Sequence, residues 1–229
     1  MARYKQYMPD NHAKTQEDAA ARIFTAARRL FLEKGFTATT TREIASAADV
    51  TLGLIPYYFK TKDNLAGKIA YDLMERFYAQ IYDCRMESLP NAVKLYVDTL
   101  LIYEYQFSVP SYGDFFFELN ATTDIMENPS RTARDLTWKI IDEYRLSVTE
   151  EENEMYLASM MGAEKQLIKK YLHKELNFTC TQLTDILLSG YFFNIGLSDE
   201  TIASVIAEGQ AFCDTVRRER EVQLHDLIF

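Results

Sequence analysis

Residues 39–62 read TTTREIASAADVTLGLIPYYFKTK, and the spacing of apolar residues in this stretch decides the fold. Thr40 and Thr41 are hydroxyl residues able to cap a helix start, and Ile44, Ala45 and Ala48 follow on one apolar face. That pattern predicts a helix of about two turns. Asp49 stands where the chain must turn sharply, and Asp is among the few non-glycine residues that tolerate a left-handed conformation. Val50 plugs the angle between two helices, and Thr51 is placed to cap a second one running from Leu52 to Phe59. Helices this short do not persist alone, so neighbouring segments must hold them.

Upstream, Ile23, Phe24, Ala27, Leu30 and Phe31 make one apolar stripe on a helix from about Glu17 to Lys34, ended by Gly35. Downstream, Lys62 and Asp63 open a helix in which Ile69, Leu73, Phe77 and Ile81 recur every four residues. Three helices thus pack into a small domain and a fourth leads out of it. A helix-turn-helix of this kind is suited to reading double-stranded DNA, its second helix lying in the major groove.

The segment from Glu17 to Leu73 resembles the TetR/AcrR-type transcriptional regulators. The resemblance is carried by AARRLFLEKGF at 26–36, Thr39-Thr40 before Ile44-Ala45, Ala48 with Val50-Thr51, Gly53, Tyr58-Phe59, and Lys62 followed by Leu65. Two positions depart from the family pattern: Asp49 stands where glycine is usual in the turn, and Pro56 where a DNA-contacting tyrosine is usual. Proline inside a helix removes a donor and crowds the preceding turn, so a kinked or partly 3₁₀ recognition helix is expected.

The resemblance implies roles residue by residue. Thr41 and Arg42 start the supporting helix and meet phosphate; Thr51, Leu52, Gly53 and Leu54 lead into the major groove. Tyr57 and Tyr58 contact phosphates or sugars, Lys62 adds a charge to the backbone contact, and Phe59 belongs to the core. Leu52 and Leu54 donate no hydrogen bonds to base edges, so readout leans on thymine methyls and DNA shape.

Charge is divided along the chain. The whole carries a formal −9, yet residues 1–70 hold 11 Lys+Arg against 7 Asp+Glu, and the remainder 14 against 27. Only the first part is suited to lie against phosphates. The expected organisation is a disordered arm over 1–16 containing Arg3, Lys5 and Lys14, a DNA-binding domain over 17–77 with its motif at 40–59, and a ligand-binding and dimerisation domain over 78–229.

Beyond residue 70 helix follows helix, with Pro90, Pro110 and Pro129 at boundaries, capping-box spacing at Thr149–Glu152 and Thr179–Gln182, and Ser198 placed to cap the last long helix. About ten helices and no sheet are expected, an all-α fold. Two helices, roughly 181–194 and 199–222, carry Leu183, Ile186, Leu187, Gly190, Tyr191, Ile202, Val205, Ile206, Gly209 and Phe212. Spacing alone leaves this stripe open between core and interface; the family resemblance implies a homodimer formed by pairing these helices into a four-helix bundle, which would present two reading heads to a palindromic operator.

Between head and dimer helices lies an aromatic-rich zone, most of it expected to be ordinary core, in which Tyr103, Phe107, Tyr112, Phe116, Phe117, Trp138, Tyr156 and Met160 are candidates to line a ligand cavity, and the family resemblance implies a small-molecule inducer site there. With Glu104, Asp114 and Glu118 interleaved, a flat or cationic aromatic ligand fits, and a fatty or acyl ligand fits equally.

No enzyme motif is present in the sequence: the three histidines lack metal-ligand spacing, and no phosphate loop or nucleophile elbow appears. No catalytic residue, metal or cofactor is expected. Cys84, Cys180 and Cys213 suit a reducing cytoplasm, and no apolar run approaches the roughly 18 residues of a membrane span. The function expected is a sequence-specific DNA-binding repressor released by an inducer. Two alternatives remain open at this point, a helical interaction module without a DNA role and a thiol redox-sensing regulator.

Overall fold

The computed structural model describes residues 11–81, 84–122 and 130–219, and side chains over 18–78, 86–120 and 134–218. Among the described residues ten α-helices form and no strand: α1 Asn11–Lys34, α2 Thr41–Ala47, α3 Leu54–Phe59, α4 Lys62–Ile81, α5 Asn91–Ser108, α6 Pro110–Thr122, α7 Ser130–Glu143, α8 Glu150–Leu172, α9 Cys180–Asn194 and α10 Asp199–Glu219. A 3₁₀ turn spans Cys84–Ser88. The fold is all-α. Two compact units divide it, Met1–Ile69 and Ala70–Phe229, so the division falls inside α4 rather than after Phe77. Helix α1 begins at Asn11, which makes residues 11–16 helix rather than arm; Arg3, Lys5 and Pro129 lie outside the described residues.

In the first unit the local rules and the packing agree. Thr40 caps α2 in a capping box: its hydroxyl accepts from the Glu43 N–H at 3.2 Å, and the Glu43 carboxylate accepts from the Thr40 N–H at 2.8 Å. The exit is a Schellman motif. Asp49 takes φ 50°, its N–H bonding Ser46 O at 3.3 Å, while the Val50 N–H reaches Ala45 O at 3.0 Å. Ile23, Ala27, Phe31, Ile44, Ala45, Ile55, Phe59, Leu65 and Ile69 are buried and form the core that holds the two short helices.

Helix α3 starts later than the sequence suggests. Its N-cap is Gly53, with no side-chain cap, so Thr51 does not cap it as expected. Entry is instead by 3₁₀-type bonds, Leu54 N–H to Thr51 O at 3.0 Å and Ile55 N–H to Leu52 O at 3.2 Å. Pro56 then falls in the first turn, where a missing N–H breaks no regular helical bond, and this is why proline is accepted there.

In the second unit α5 is buried almost all round, from Ala92 to Tyr105, and packs against α6, α7, α9 and α10. Capping boxes at Thr149–Glu152 and Thr179–Gln182 start α8 and α9, and the Ser198 hydroxyl accepts from the Thr201 N–H at 3.2 Å to cap α10. A buried polar chain ties three helices: Tyr191 donates to Asn153 at 2.7 Å, and the Asn153 amide donates to Thr137 at 3.4 Å.

Candidate functional site

The reading face of the first unit is built from what α3 leaves uncovered. Ile55 and Phe59 point inward and are buried, which turns Leu52 and Tyr57 outward at 44% and 67% exposure. Thr51, Gly53 and Arg42 are exposed as well, and Thr41, Leu54 and Tyr58 are half-buried. A Cβ at Gly53 would meet no atom within 4 Å, so the protein's own packing does not demand glycine here. Tyr57 and Tyr58 stand edge to face, with ring centroids 4.9 Å apart. Leu52, Tyr57 and the open Gly53 thus share the solvent-facing side of the α2–α3 turn and α3.

The cations of this unit fall into two groups. Lys34 pairs with Glu43, Arg29 with Glu33 at 3.4 Å, and Arg22 reaches Asp49 at 3.9 Å. The Lys34 hydrogen bond, with those from Thr40, holds the Glu43 carboxyl down at about 2. Arg42 and Lys60 are exposed and have no hydrogen-bond or ion-pair partner among the described residues, so their charges are free to meet phosphate.

Lys62 belongs to neither group. Its ammonium donates to Phe36 O at 3.0 Å and Thr39 O at 3.1 Å and lies 4.2 Å from the Phe36 ring centroid. The structure therefore turns Lys62 inward, where it clasps the α1–α2 loop, rather than toward solvent as a backbone contact requires. Thr39 completes the clasp by donating to Gly35 O at 2.7 Å. Lys60 is not among the residues the family pattern singles out; its place directly after the last aromatic of the second helix is what sets it beside Tyr57 and Tyr58.

The second unit sorts the other candidates. Of the aromatic-zone residues, Tyr103 lies in a buried cluster with Ile168, Leu183 and Leu187, and Phe107, Phe117 and Met160 pack against it. Tyr112 is buried elsewhere, beside Tyr105, which stacks on Phe77 at 4.6 Å. Phe116 is buried against Phe115, while Trp138 and Tyr156 are half-buried on α7 and α8. Glu104 is engaged by Arg217, and Asp114 is exposed.

The expected dimer stripe divides as well. Leu183, Leu187, Tyr191, Ile202, Val205 and Gly209 are buried within the chain's own core and are not available to a partner. At Gly209 the Tyr96 ring fills the space a Cβ would need, so the close approach that glycine permits is intramolecular. Ile186 is 61% exposed, Gly190 is open, and Ile206 and Phe212 are half-buried. Phe193, absent from the expected set, is 65% exposed one turn beyond Gly190.

Burial pushes the Cys180 thiol up to about 11 and Cys213 up to about 12, so both stay protonated and present no thiolate to an oxidant. The side chain of Cys84 lies outside the described residues. Among the described residues no cluster of metal-ligating side chains occurs, and no helix is long and apolar enough to cross a membrane.

A capped supporting helix, a left-handed turn and a short second helix with an uncovered face make a helix-turn-helix, the geometry that DNA-binding regulators use. Residues 23–69 match the family described as bacterial regulatory proteins, tetR family. The chain is 26% identical over 170 residues to the probable HTH-type transcriptional regulator YttP of Bacillus subtilis, covering 74% of this chain and 75% of that protein. It is 28% identical over 128 residues to the HTH-type transcriptional regulator QacR of Staphylococcus aureus, covering 55% and 66%. In fold it is similar to RolR in complex with resorcinol, at TM-score 0.65 and 18% identity over 85% of this chain and 96% of that one. The match at residues 23–69 and the likeness to YttP and QacR make the chain similar to TetR-type DNA-binding transcriptional regulators. Regulators of this family bind DNA operators and small-molecule ligands and act as dimers.

Proposed function

We propose that the chain is a cytoplasmic repressor that holds a palindromic operator as a homodimer and lets it go when a small molecule enters the unit at 70–229. The observation that carries the DNA-reading part is the uncovered face of α3, where Leu52 and Tyr57 stand exposed beside a glycine with open space around it. Thr51, Leu52, Gly53 and Leu54 approach base edges and methyls. Thr41, Arg42, Tyr57, Tyr58 and Lys60 meet the sugar-phosphate backbone, and Lys62 positions the loop that carries α2.

For the dimer, the exposed α9 face of Ile186, Gly190 and Phe193 and the exposed alanines Ala203, Ala207 and Ala211 on α10 support pairing of these two helices with their symmetry mates. Small residues at four-residue spacing let helices approach closely. Ligand binding then acts by population shift, favouring a separation of the two heads that no longer matches successive major grooves.

Gel shift against the DNA upstream of the chain's own gene, at two salt concentrations, tests the reading. Binding that weakens as salt rises is expected, because phosphate contacts release counterions. Absence of binding, or binding indifferent to salt, favours a helical interaction module instead.

A further inference from the structure

Lys60 closes α3 with φ 63° and ψ −61°, and the Thr61 N–H bonds Phe59 O across it at 2.7 Å. A bond spanning two residues at those angles is a γ-turn of positive φ, a rare and strained corner for any residue with a Cβ. Among the described residues three other non-glycine positions have positive φ, Asp49, Arg145 and Lys174. Each of these follows a helix inside a paired Schellman pattern, as where Arg145 N–H meets Asp142 O at 3.1 Å and Leu146 N–H meets Ile141 O at 2.9 Å. At Lys60 the chain makes a tighter corner than at any of them.

The corner itself serves the fold. The Lys60 N–H still bonds Pro56 O at 3.0 Å and so ends α3, while the next residue already starts α4. There the Thr61 hydroxyl accepts from the Asn64 N–H at 3.0 Å, and the Thr61 carbonyl from the Leu65 N–H at 3.2 Å. One residue therefore turns the chain from one helix into the next. Glycine would make that turn with less strain, and the same unit uses it at Gly35, φ 91°, where α1 ends. The lysine side chain is what the fold does not explain: it is exposed, and among the described residues no hydrogen bond, ion pair or ring contact engages it.

We infer that the strain at Lys60 is kept for the sake of its side chain: this is the position at which the first unit gives up stability to hold a positive charge at the end of α3 against the DNA backbone. The inference rests on the DNA-reading proposal above and adds that phosphate contact and stability oppose each other at this one residue. Backbone strain persists where the surrounding structure fixes it and a site makes use of it. Here the Pro56 carbonyl on one side and the Thr61 cap on the other fix the corner, and Tyr57, three residues earlier, is exposed on the same helix. Arg42, the other exposed cation without a partner, lies inside regular α2 and holds its charge without positive φ.

The test compares Lys60→Gly with Lys60→Ala in the full-length protein, by urea unfolding and by a salt series of binding to the DNA upstream of the chain's own gene. Both variants lose the charge, so both should lower the slope of log affinity against log salt by about one unit. Only glycine relieves the backbone, so the urea midpoint of Lys60→Gly should lie above that of Lys60→Ala by about 0.3 M or more, and above that of the unaltered protein. Lys60→Arg should keep both the slope and the midpoint. An alanine variant as stable as the glycine variant overturns the inference, because the corner is then not strained by a Cβ. A slope unchanged in both variants overturns it too, since a lysine of purely structural use would leave the slope alone. If the unaltered protein binds with a salt-dependent affinity that the variants share, the DNA-reading proposal stands and this inference fails; if the unaltered protein does not bind DNA, that proposal fails and this inference with it.

Discussion

The Lys62 ammonium lies 4.2 Å from the centre of the Phe36 ring and donates to the carbonyls of Phe36 and Thr39. A charge with two carbonyl acceptors and a ring face has little left to offer phosphate. Lys62→Met is therefore expected to destabilise the protein by about 2 kcal/mol, the scale of charge-assisted hydrogen bonds in a part-buried setting. DNA affinity should fall with it, but the slope of log affinity against log salt should stay the same. Arg42→Ala should do the reverse, leaving stability intact and reducing the slope by about one unit across all DNA sequences. Denaturant unfolding paired with a salt series of binding isotherms separates the two roles; a slope that drops in Lys62→Met returns that residue to the phosphate contacts.

Asp49 holds φ 50° at the turn and completes the Schellman motif through its N–H. The left-handed conformation is tolerated by Asp and disfavoured for β-branched residues, which carry two heavy atoms on Cβ. Asp49→Val is expected to cost about 1–2 kcal/mol, and Asp49→Gly to be neutral or slightly stabilising, since glycine relieves strain but frees the unfolded chain. Melting temperatures of the two variants decide the point, and equal loss in both would mean that the Asp side chain, through Arg22, matters more than the backbone.

Ile186 and Phe193 are more than half exposed on α9, whereas Leu187 between them is buried. Replacing both Ile186 and Phe193 by Glu should yield a monomer in light scattering with unchanged helical circular dichroism and much weaker operator binding. Leu187→Glu should instead unfold the second unit, because it places an unpaired charge in the core. A double variant that remains a dimer would move the interface elsewhere on the chain.

The motif at 40–59 was legible because its residues obey local rules: Thr40 caps, Asp49 turns, and Ile55 and Phe59 follow the helical period inward. Periodicity also located the long helices of the second unit. It was silent on which side of α9 faces the chain's own core, since Leu183, Ile186, Leu187 and Tyr191 are all large and apolar, and only tertiary packing sends Leu187 in and Ile186 out. The same limit hid the inward turn of Lys62, whose acceptors at Phe36 and Thr39 are more than twenty residues away.

Asp98, on the buried helix α5, carries a carboxyl that desolvation pushes up to about 6 from 3.8, with Lys94 one turn away opposing the rise; the Tyr78 hydroxyl and the Cys213 thiol lie near enough to feel its charge. A folded-state value above the unfolded one means that the native protein binds more protons between about pH 4 and 6. Stability from this group is thus present below the unfolded value and is lost as pH rises through about 6. At about 1.4 kcal/mol per unit the loss is on the order of 1–3 kcal/mol. Asp98→Asn removes the titration, so the variant should be more stable than the parent by that amount at pH 7.5 and nearly equal to it at pH 4. Glu43 works in the opposite sense, its depressed carboxyl favouring the fold above its unfolded value and losing that effect as pH falls toward about 2, but it titrates alike in parent and variant and cancels from the difference. Denaturant unfolding of both proteins at the two pH values measures that difference. A constant offset between them would show that Asp98 acts through packing or hydrogen bonding and not through its charge.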